Sequence, residues 1–269
     1  MRFISKDTYL RRKSIMDYTS SIVITTFQRA NLLEWGLSSL TKQNIPFPFE
    51  TIVVNDGIKD ETEAVCRQYS EKLNLKYIFS GQRNMDNGIK WRVPGFAFNI
   101  GARRAKGRIL ILSCAEMFHI GDTVNELTSP ILQNNTLITV PIGKDDQEAL
   151  FLNMLIQKKG KVDQQLFDNL VDLNVHLPFL IAIDKAHFMA IRGYDEDFTG
   201  IAFDDNDLVD RLLAYGCRFS QTGAKAVHLY HPRYVYQVGE CPDWHYNRSL
   251  YLKRKNDIVR NINRDWGKL

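Results

Sequence analysis

Apolar positions along the chain switch between two periods. Ser21–Thr25 is a short β-branched run that reads as a buried strand, and Leu32, Leu33, Leu37 and Leu40 then recur at helical spacing behind the capping residue Asn31. Pro46 and Pro48 interrupt the chain before a second strand, Glu50–Val54, which ends in the turn signal Asn55-Asp56-Gly57. A helix over roughly 61–73 and a strand over Lys76–Phe79 follow. This β-α-β-α-β order predicts a parallel sheet with right-handed crossovers, in which ligands bind beyond the carboxyl ends of the strands. Thr26–Arg29 and Asn55–Gly57 both fall on that rim. Asp56 there either accepts hydrogen bonds from a ligand or caps its own turn, and spacing weighs the two equally.

Beyond residue 90 the pattern continues with a helix over about 94–105, where Ala97, Gly101 and Ala105 stand four apart and allow close approach to a neighbour. Ile109–Leu112 is a fourth strand. It runs into Ser113-Cys114-Ala115-Glu116-Met117-Phe118-His119, where a carboxylate and an imidazole three residues apart can share a divalent cation, a weak signal alone. Another helix and a strand (Leu137–Val140) precede a charged stretch, 143–172, which reads as a surface excursion with one helical pattern near Ala149–Ile156. Phe179–Ile183 reads as a strand and Lys185–Ile191 as a short helix. A last strand, Lys225–Tyr230, ends at His231; His228 and His231 sit where a strand opens into a loop, so their rings should diverge and at most one should bind a metal.

The organising stretch is Gly193–Gly216, GYDEDFTGIAFDDNDLVDRLLAYG. Leu208, Leu212 and Leu213 repeat at helix spacing, so Asp204, Asp205 and Asp207 sit where a helix begins. Negative charge is favourable there, yet capping needs one acid, and this stretch supplies three in four positions. Crowded carboxylates raise at least one pKa, which suits a general base. Asp207 reads as a first-turn acid, and Asp195 and Asp197 as turn residues. A calcium loop starting at Asp195 fails because Asn206 occupies the twelfth position, where a bidentate Glu is needed.

Composition narrows the function classes. A net charge of +4 over 269 residues is too small to argue for nucleic acid. Cys66, Cys114, Cys217 and Cys241 are scattered, which favours reduced thiols over a disulfide framework or zinc ribbon. The basic first twenty residues lack an apolar segment, so a secretory signal is not expected, and no stretch approaches the ~20 apolar residues of a membrane span. A soluble protein, or one that only touches a membrane, is the expectation. The segment 251–269 holds six Lys/Arg against two Asp, which suits a solvated face or contact with an anionic lipid surface.

Together these segments resemble the family 2 glycosyltransferases of GT-A fold. SIVITTFQRANLLEWGLSSL resembles their opening strand–turn–helix, TIVVNDGIKDET their VVDDGSTDGT segment, and FNIGARRAKGRILIL the helix and strand leading to the metal motif. GYDEDFTGIAFDDNDLVDRLLAYG resembles the GGFDE…GWGxEDxDLxxRL block of the galactosyltransferase-like branch. The resemblance covers about residues 20–232. It implies an α/β fold with a Rossmann-like, mostly parallel central sheet flanked by helices and a C-terminal helical tail. The expected division is a basic leader (1–19), a GT-A domain (20–235, nucleotide-binding half 20–120 and acceptor-binding half 121–235) and a basic helical tail (236–269).

The resemblance further implies an inverting transferase that moves a sugar from a nucleotide-diphosphate sugar, a UDP-hexose or UDP-N-acetylhexosamine, to a glycan or lipid-linked acceptor in surface polysaccharide assembly. The implied setting is cytoplasmic, with peripheral contact at the inner face of the membrane and no nucleic-acid partner. Thr26, Gln28, Arg29 and Asp56 match the nucleotide site, and Arg92, Asn99 and Arg103 more loosely the diphosphate. Asp205 matches the general base, Asp204 the acid that orients the acceptor, and His228 a C-terminal histidine of the metal site. Where DxD is expected the chain has Cys114-Ala115-Glu116. Either Mn²⁺ or Mg²⁺ is held by Glu116 with His119 or His228, or cations such as Arg92 and Arg103 take over part of its work. A catalytically silent nucleotide-sugar-binding subunit is the alternative function. A nucleotidyltransferase ranks below both, because no Gly-rich, Lys-containing phosphate loop lies near residue 26.

Overall fold

Alternation within the strands sets the layering of the molecule. The computed structural model describes residues 18–81, 93–232 and 242–269. Its first half runs β1 (Ser20–Thr26), α1 (Ala30–Leu40), β2 (Phe49–Asn55), α2 (Thr62–Tyr69), β3 (Leu75–Phe79), α3 (Gly95–Arg104) and β4 (Ile109–Cys114). The second half runs β5 (Met117–Ile120), α4 (Thr123–Gln133), β6 (Leu137–Asp145), α5 (Leu150–Gln157), α6 (Gln164–Asn169), β7 (Val171–Asp172), β8 (Leu180–Asp184), α7 (Lys185–Ala190), α8 (Asp204–Ala214), β9 (Arg218–His228) and α9 (Pro242–Arg254).

One sheet in the order β3-β2-β1-β4-β8-β6-β9-β5 runs through both halves, with β7 paired to β6. The first four strands are mutually parallel, as the alternating β-α order requires. From β4 onward the sheet turns mixed: β8 is antiparallel to β4 and β6, and β5 is antiparallel to β9.

Ile22, Ile24, Val53, Ile109 and Ile111 face one layer, formed with Leu33, Leu37 and Leu40 of α1 and Val124, Leu127 and Ile131 of α4. Their neighbours Val23, Ile52, Val54, Leu110 and Leu112 face the other, with Ala97, Phe98 and Ile100 of α3 and Leu208 and Leu212 of α8. A side chain at Gly101 would collide with Val23, so the small-residue spacing of α3 does serve close approach to the sheet.

Two segments differ from their sequence reading. The charged stretch 143–172 carries a third apolar cluster: Phe151, Met154 and Leu155 of α5 and Phe167 of α6 pack against Phe118, Val227 and Leu229. The segment after α9 is not helical, and it is not a solvated strap. Trp266 and Arg260 are 2% and 3% exposed, and Trp266 joins the cluster of α3 and α8.

Candidate active site

The carboxyl ends of β1, β2 and β4 are level, with Thr26 opposite Asn55 and Thr25 opposite Cys114. The predicted rim therefore exists. Asp56 is buried at its end of β2 and accepts a hydrogen bond from the Ser80 hydroxyl, while its backbone N–H donates to the Thr26 carbonyl at 2.9 Å. The Thr26 hydroxyl is buried without a hydrogen-bond partner among the described residues. Gln28 sits in the left-handed region, φ 53°, where a non-glycine residue is strained. Arg29 turns its guanidinium onto the Glu116 carboxylate.

Glu116 ends up beside a histidine, but not a predicted one. The run after β4 is a strand instead of a loop: β5 pairs antiparallel with β9, Met117 opposite His228, and the Leu229 N–H donates to the Glu116 carbonyl at 2.9 Å. That pairing brings the residues just beyond β9 to Glu116, and the His231 Nε2 lies 4.0 Å from its carboxylate. His228 instead bonds through Nδ1 to Asp145 at 3.1 Å, with both groups buried. Its ring meets His231 edge to face at 5.2 Å between centroids, so the two imidazoles do not diverge as their spacing suggested. A carboxylate placed in this way fixes the tautomer and orientation of the imidazole it bonds.

His119 is corrected by the same strand. It shares its face of β5 with Met117, which packs in the α1 layer, and its backbone N–H donates to Ser39 of α1 at 3.0 Å. Its ring is buried, and burial pulls its pKa down to about 4, so the imidazole stays neutral. Among the described residues no group of three or more His, Cys, Asp and Glu side chains could hold a metal by itself.

Asp204 and Asp205 open α8 after two consecutive non-glycine residues in the left-handed region, Ala202 at φ 77° and Phe203 at φ 68°. Such strain persists only where the surroundings over-determine it, and here Asn247 of α9 does so. Its buried amide donates to the carbonyls of Thr199, Ile201 and Ala202 at 2.6, 2.8 and 3.1 Å. Asp204 is 4% exposed, and its Oδ2 has no hydrogen-bond partner among the described residues. Burial, then the charge of Asp205, pushes its pKa far above the usual carboxylate range. Asp205 is pushed up to about 6 by burial, against a hydrogen bond from the Tyr194 hydroxyl at 3.1 Å. Burial thus disfavours ionisation of both members of the pair.

The start of α8 and the end of β4 converge. The half-buried Cys114 thiol has its pKa raised by burial and then by the charges of Glu116 and of Asp205, ahead of Asp204. One rim thus joins Glu116, Cys114 and the acid pair. Asn99 and Arg103, in contrast, have structural partners. The Asn99 amide is fully buried against Tyr194 and Glu196, and Arg103 pairs with Asp265 while lying over Trp266. A diphosphate role is therefore not carried forward for either. Arg92 lies outside the described residues.

Asp207 lies in the first turn of α8 as expected, and it is also buried between Arg211 Nε at 2.7 Å and Arg260 Nη2 at 2.6 Å. Asp195 takes Arg254 and Arg260, and Asp197 takes Arg254 and Arg264. Much of the basic character of the C-terminal segment is thereby directed inward. No described helix is long and apolar enough to cross a membrane.

Sequence reasoning missed Tyr194, Asn247 and the supporting Asp145. Only Tyr194 left a signal, a hydroxyl where the resembled GGFDE segment has phenylalanine.

Comparison with known proteins agrees with this architecture. The profile of Glycosyl transferase family 2 matches residues 21–192, and that described as the N-terminal domain of galactosyltransferase matches 179–233. The chondroitin synthase of Escherichia coli is 29% identical over 256 residues, spanning 82% of this chain and 36% of that protein. The validoxylamine A glucosyltransferase of Streptomyces hygroscopicus subsp. jinggangensis is 27% identical over 232 residues, 73% of this chain and 51% of the relative. The chain thus spans about a third to a half of the length of these two relatives. The crystal structure of S. aureus TarS superposes with a TM-score of 0.61 at 17% identity, covering 88% of this chain and 39% of that one. GalNAc-T7 with UDP, GalNAc and Mn²⁺ also gives 0.61, at 18% identity, covering 89% and 50%. The fold is shared with these transferases, and by the extent of its profile match the chain belongs to glycosyl transferase family 2.

Proposed function

We propose that the protein is an inverting glycosyltransferase that moves a sugar from a UDP-sugar to the hydroxyl of a glycan or lipid-linked acceptor. The observation that carries this reading is the acid pair. The buried Asp204 and the half-buried Asp205 have no cationic partner among the described residues and stand beside Glu116 at the carboxyl rim of the sheet, and Asp205 ionises near pH 6. A binding subunit has no use for such a pair, whereas general base catalysis does. In the step proposed, the acceptor oxygen attacks the anomeric carbon as the bond to the diphosphate breaks, and the acceptor proton passes to Asp205. Asp204 hydrogen-bonds the acceptor and fixes its approach.

Thr26, Gln28, Arg29 and Asp56 are assigned to the donor. Asp56 suits the polar edge of the nucleoside, and the orphaned Thr26 hydroxyl has bonding capacity for it. Glu116 and His231 fit a divalent ion as an oxygen and a nitrogen ligand, with the remaining positions left for diphosphate oxygens. A bound Mn²⁺ or Mg²⁺ supplies charge neutralisation for the departing diphosphate. Support comes from solved relatives of the same fold described as complexes with UDP or with UDP-GlcNAc. Relatives named as chondroitin synthases support a polysaccharide acceptor, and hence a cytoplasmic setting at the membrane surface where the exposed Lys253 and Lys255 contact anionic lipid.

Purified protein assayed with a panel of UDP-sugars, with and without Mn²⁺, tests the reading. Asp205→Asn should retain donor binding and lose transfer by about 10²–10⁴-fold; transfer at the wild-type rate removes Asp205 as base. Titration of UDP with Mn²⁺ should weaken more for His231→Ala than for His228→Ala. The reverse order would return the metal to His228.

A further inference from the structure

Position 194 carries a hydroxyl in a place closed to water. Tyr194 follows Gly193, itself at φ 65°, and is 0% exposed. Its ring stacks on Phe98 at 5.6 Å and 12° and meets Phe188 edge-on at 6.4 Å. A side chain at Gly95 would collide with it. The backbone is equally fixed: the Tyr194 N–H donates to Asn99 Oδ1 at 2.8 Å, and its carbonyl accepts from the amides of Asn99 and Asn261 at 3.0 and 2.7 Å. The ring therefore has one position, and a buried phenol needs a partner for its O–H. That partner is Asp205 Oδ1, at 3.1 Å. The packing alone needs only a phenyl ring, which is what the resembled GGFDE segment has here, so the hydroxyl is an addition directed at the carboxylate.

We propose that Tyr194 is a positioning residue for the base: its hydroxyl holds one oxygen of Asp205, turns the other to the acceptor, and favours the ionised form. This rests on Asp205 acting as base. Among the described residues the titratable groups facing Asp205 are Asp204 from its own helix, Tyr194 from the turn after α7 and Cys114 from the end of β4. Burial and then the charge of Asp205 raise the pKa of Asp204. The Cys114 thiol is raised first by burial, as is the Tyr194 phenol, whose pKa Asp205 and Asp204 raise further. Both shifts favour the neutral form. Burial drives Asp205 upward, and the Tyr194 hydrogen bond is what opposes it. A carboxylate left without that donor would be protonated over more of the working range and free to rotate about its bond to Cβ.

The test separates this coupling from the base assignment. The full-length protein is labelled with ¹³C-carboxyl aspartate, and the Asp205 resonance is identified by its loss in Asp205→Asn. Its titration is followed in wild type and in Tyr194→Phe. The midpoint should rise by about one pH unit in Tyr194→Phe, the loss expected for one hydrogen bond to a charged group. The acid limb of kcat at saturating UDP-sugar and Mn²⁺, read from about pH 5 to about pH 9, should move with it. 3-Fluorotyrosine at position 194, a stronger donor on the same ring, should move both the other way. An unchanged midpoint in Tyr194→Phe, with a melting temperature showing the fold intact, overturns the proposal and leaves the base assignment standing. Wild-type transfer by Asp205→Asn overturns the base assignment, and the positioning role falls with it.

Discussion

Asp195, Asp197 and Asp207 are each met by arginines from the C-terminal segment, whereas Asp204 and Asp205, within the same thirteen-residue stretch, have a tyrosine hydroxyl and backbone N–H groups instead. The two sets look alike along the chain and differ in what surrounds them. Paired carboxylates in this molecule hold segments together. Arg260 alone ties the last residues to the Gly193 turn and to α8, and Arg254 spans Asp195 and Asp197. The acids without a cation hold no segments together. Their burial opposes ionisation, and a native state keeps such groups where chemistry needs them.

Breaking the paired set should have the largest effect on stability. Arg260→Ala leaves Asp207 with Arg211 only and Asp195 with Arg254 only. Removing one member of a buried ion-pair network costs roughly 3–5 kcal/mol, a fall in melting temperature of about 10 °C for a domain of this size. Below its own melting range the variant should keep the wild-type pH–rate profile, because the acids it disturbs are not those proposed to titrate during transfer. A displaced profile in the folded variant would mean that Asp207 belongs with the catalytic pair, and the contrast would collapse.

The same contrast explains what could be read in advance. The parallel half of the fold was legible because β1 and β2 are buried on both faces and read as short β-branched runs, and Asn55-Asp56-Gly57 marks the rim of β2. Family membership followed from four such segments in order. The antiparallel half was less legible. Met117–Ile120 is only four residues long, and nothing local announces that it will pair with β9. Without that strand the sequence could not show that His119 faces the α1 layer or that His231 comes to lie 4.0 Å from Glu116. Partner choice among the acids was equally invisible. Arg260 lies 53 residues from Asp207, and no local pattern tells which aspartate a distant guanidinium will reach. Asn247, 48 residues from Thr199, is hidden in the same way.

The smaller effect, and the sharper test of the acids without a cation, is the stability of Asp205→Asn across pH. The Asp205 pKa is raised from 3.8 to about 6 in the folded protein, by burial against the Tyr194 hydrogen bond. Between those values the native state holds a proton that the unfolded chain has released, so stability declines as pH rises through that window and stays lower above it. An asparagine at this position carries no charge and avoids the decline. A shift of this size corresponds to at most about 3 kcal/mol, and the realised gain should be nearer 1 kcal/mol because the side chain is not fully sealed from water. Asp205→Asn should therefore melt a few degrees above wild type at about pH 8 and converge with it near pH 4. Asp197 behaves oppositely. Burial would raise its pKa, but hydrogen bonds from Arg254 and Arg264 hold it below 3.8, so its contribution is present at neutral pH and fades on acidification. Asp197→Asn should consequently lose stability at about pH 8 and approach wild type only as the pH falls well below 4. If both variants shift stability equally at every pH, packing and not charge separates the two sets of aspartates.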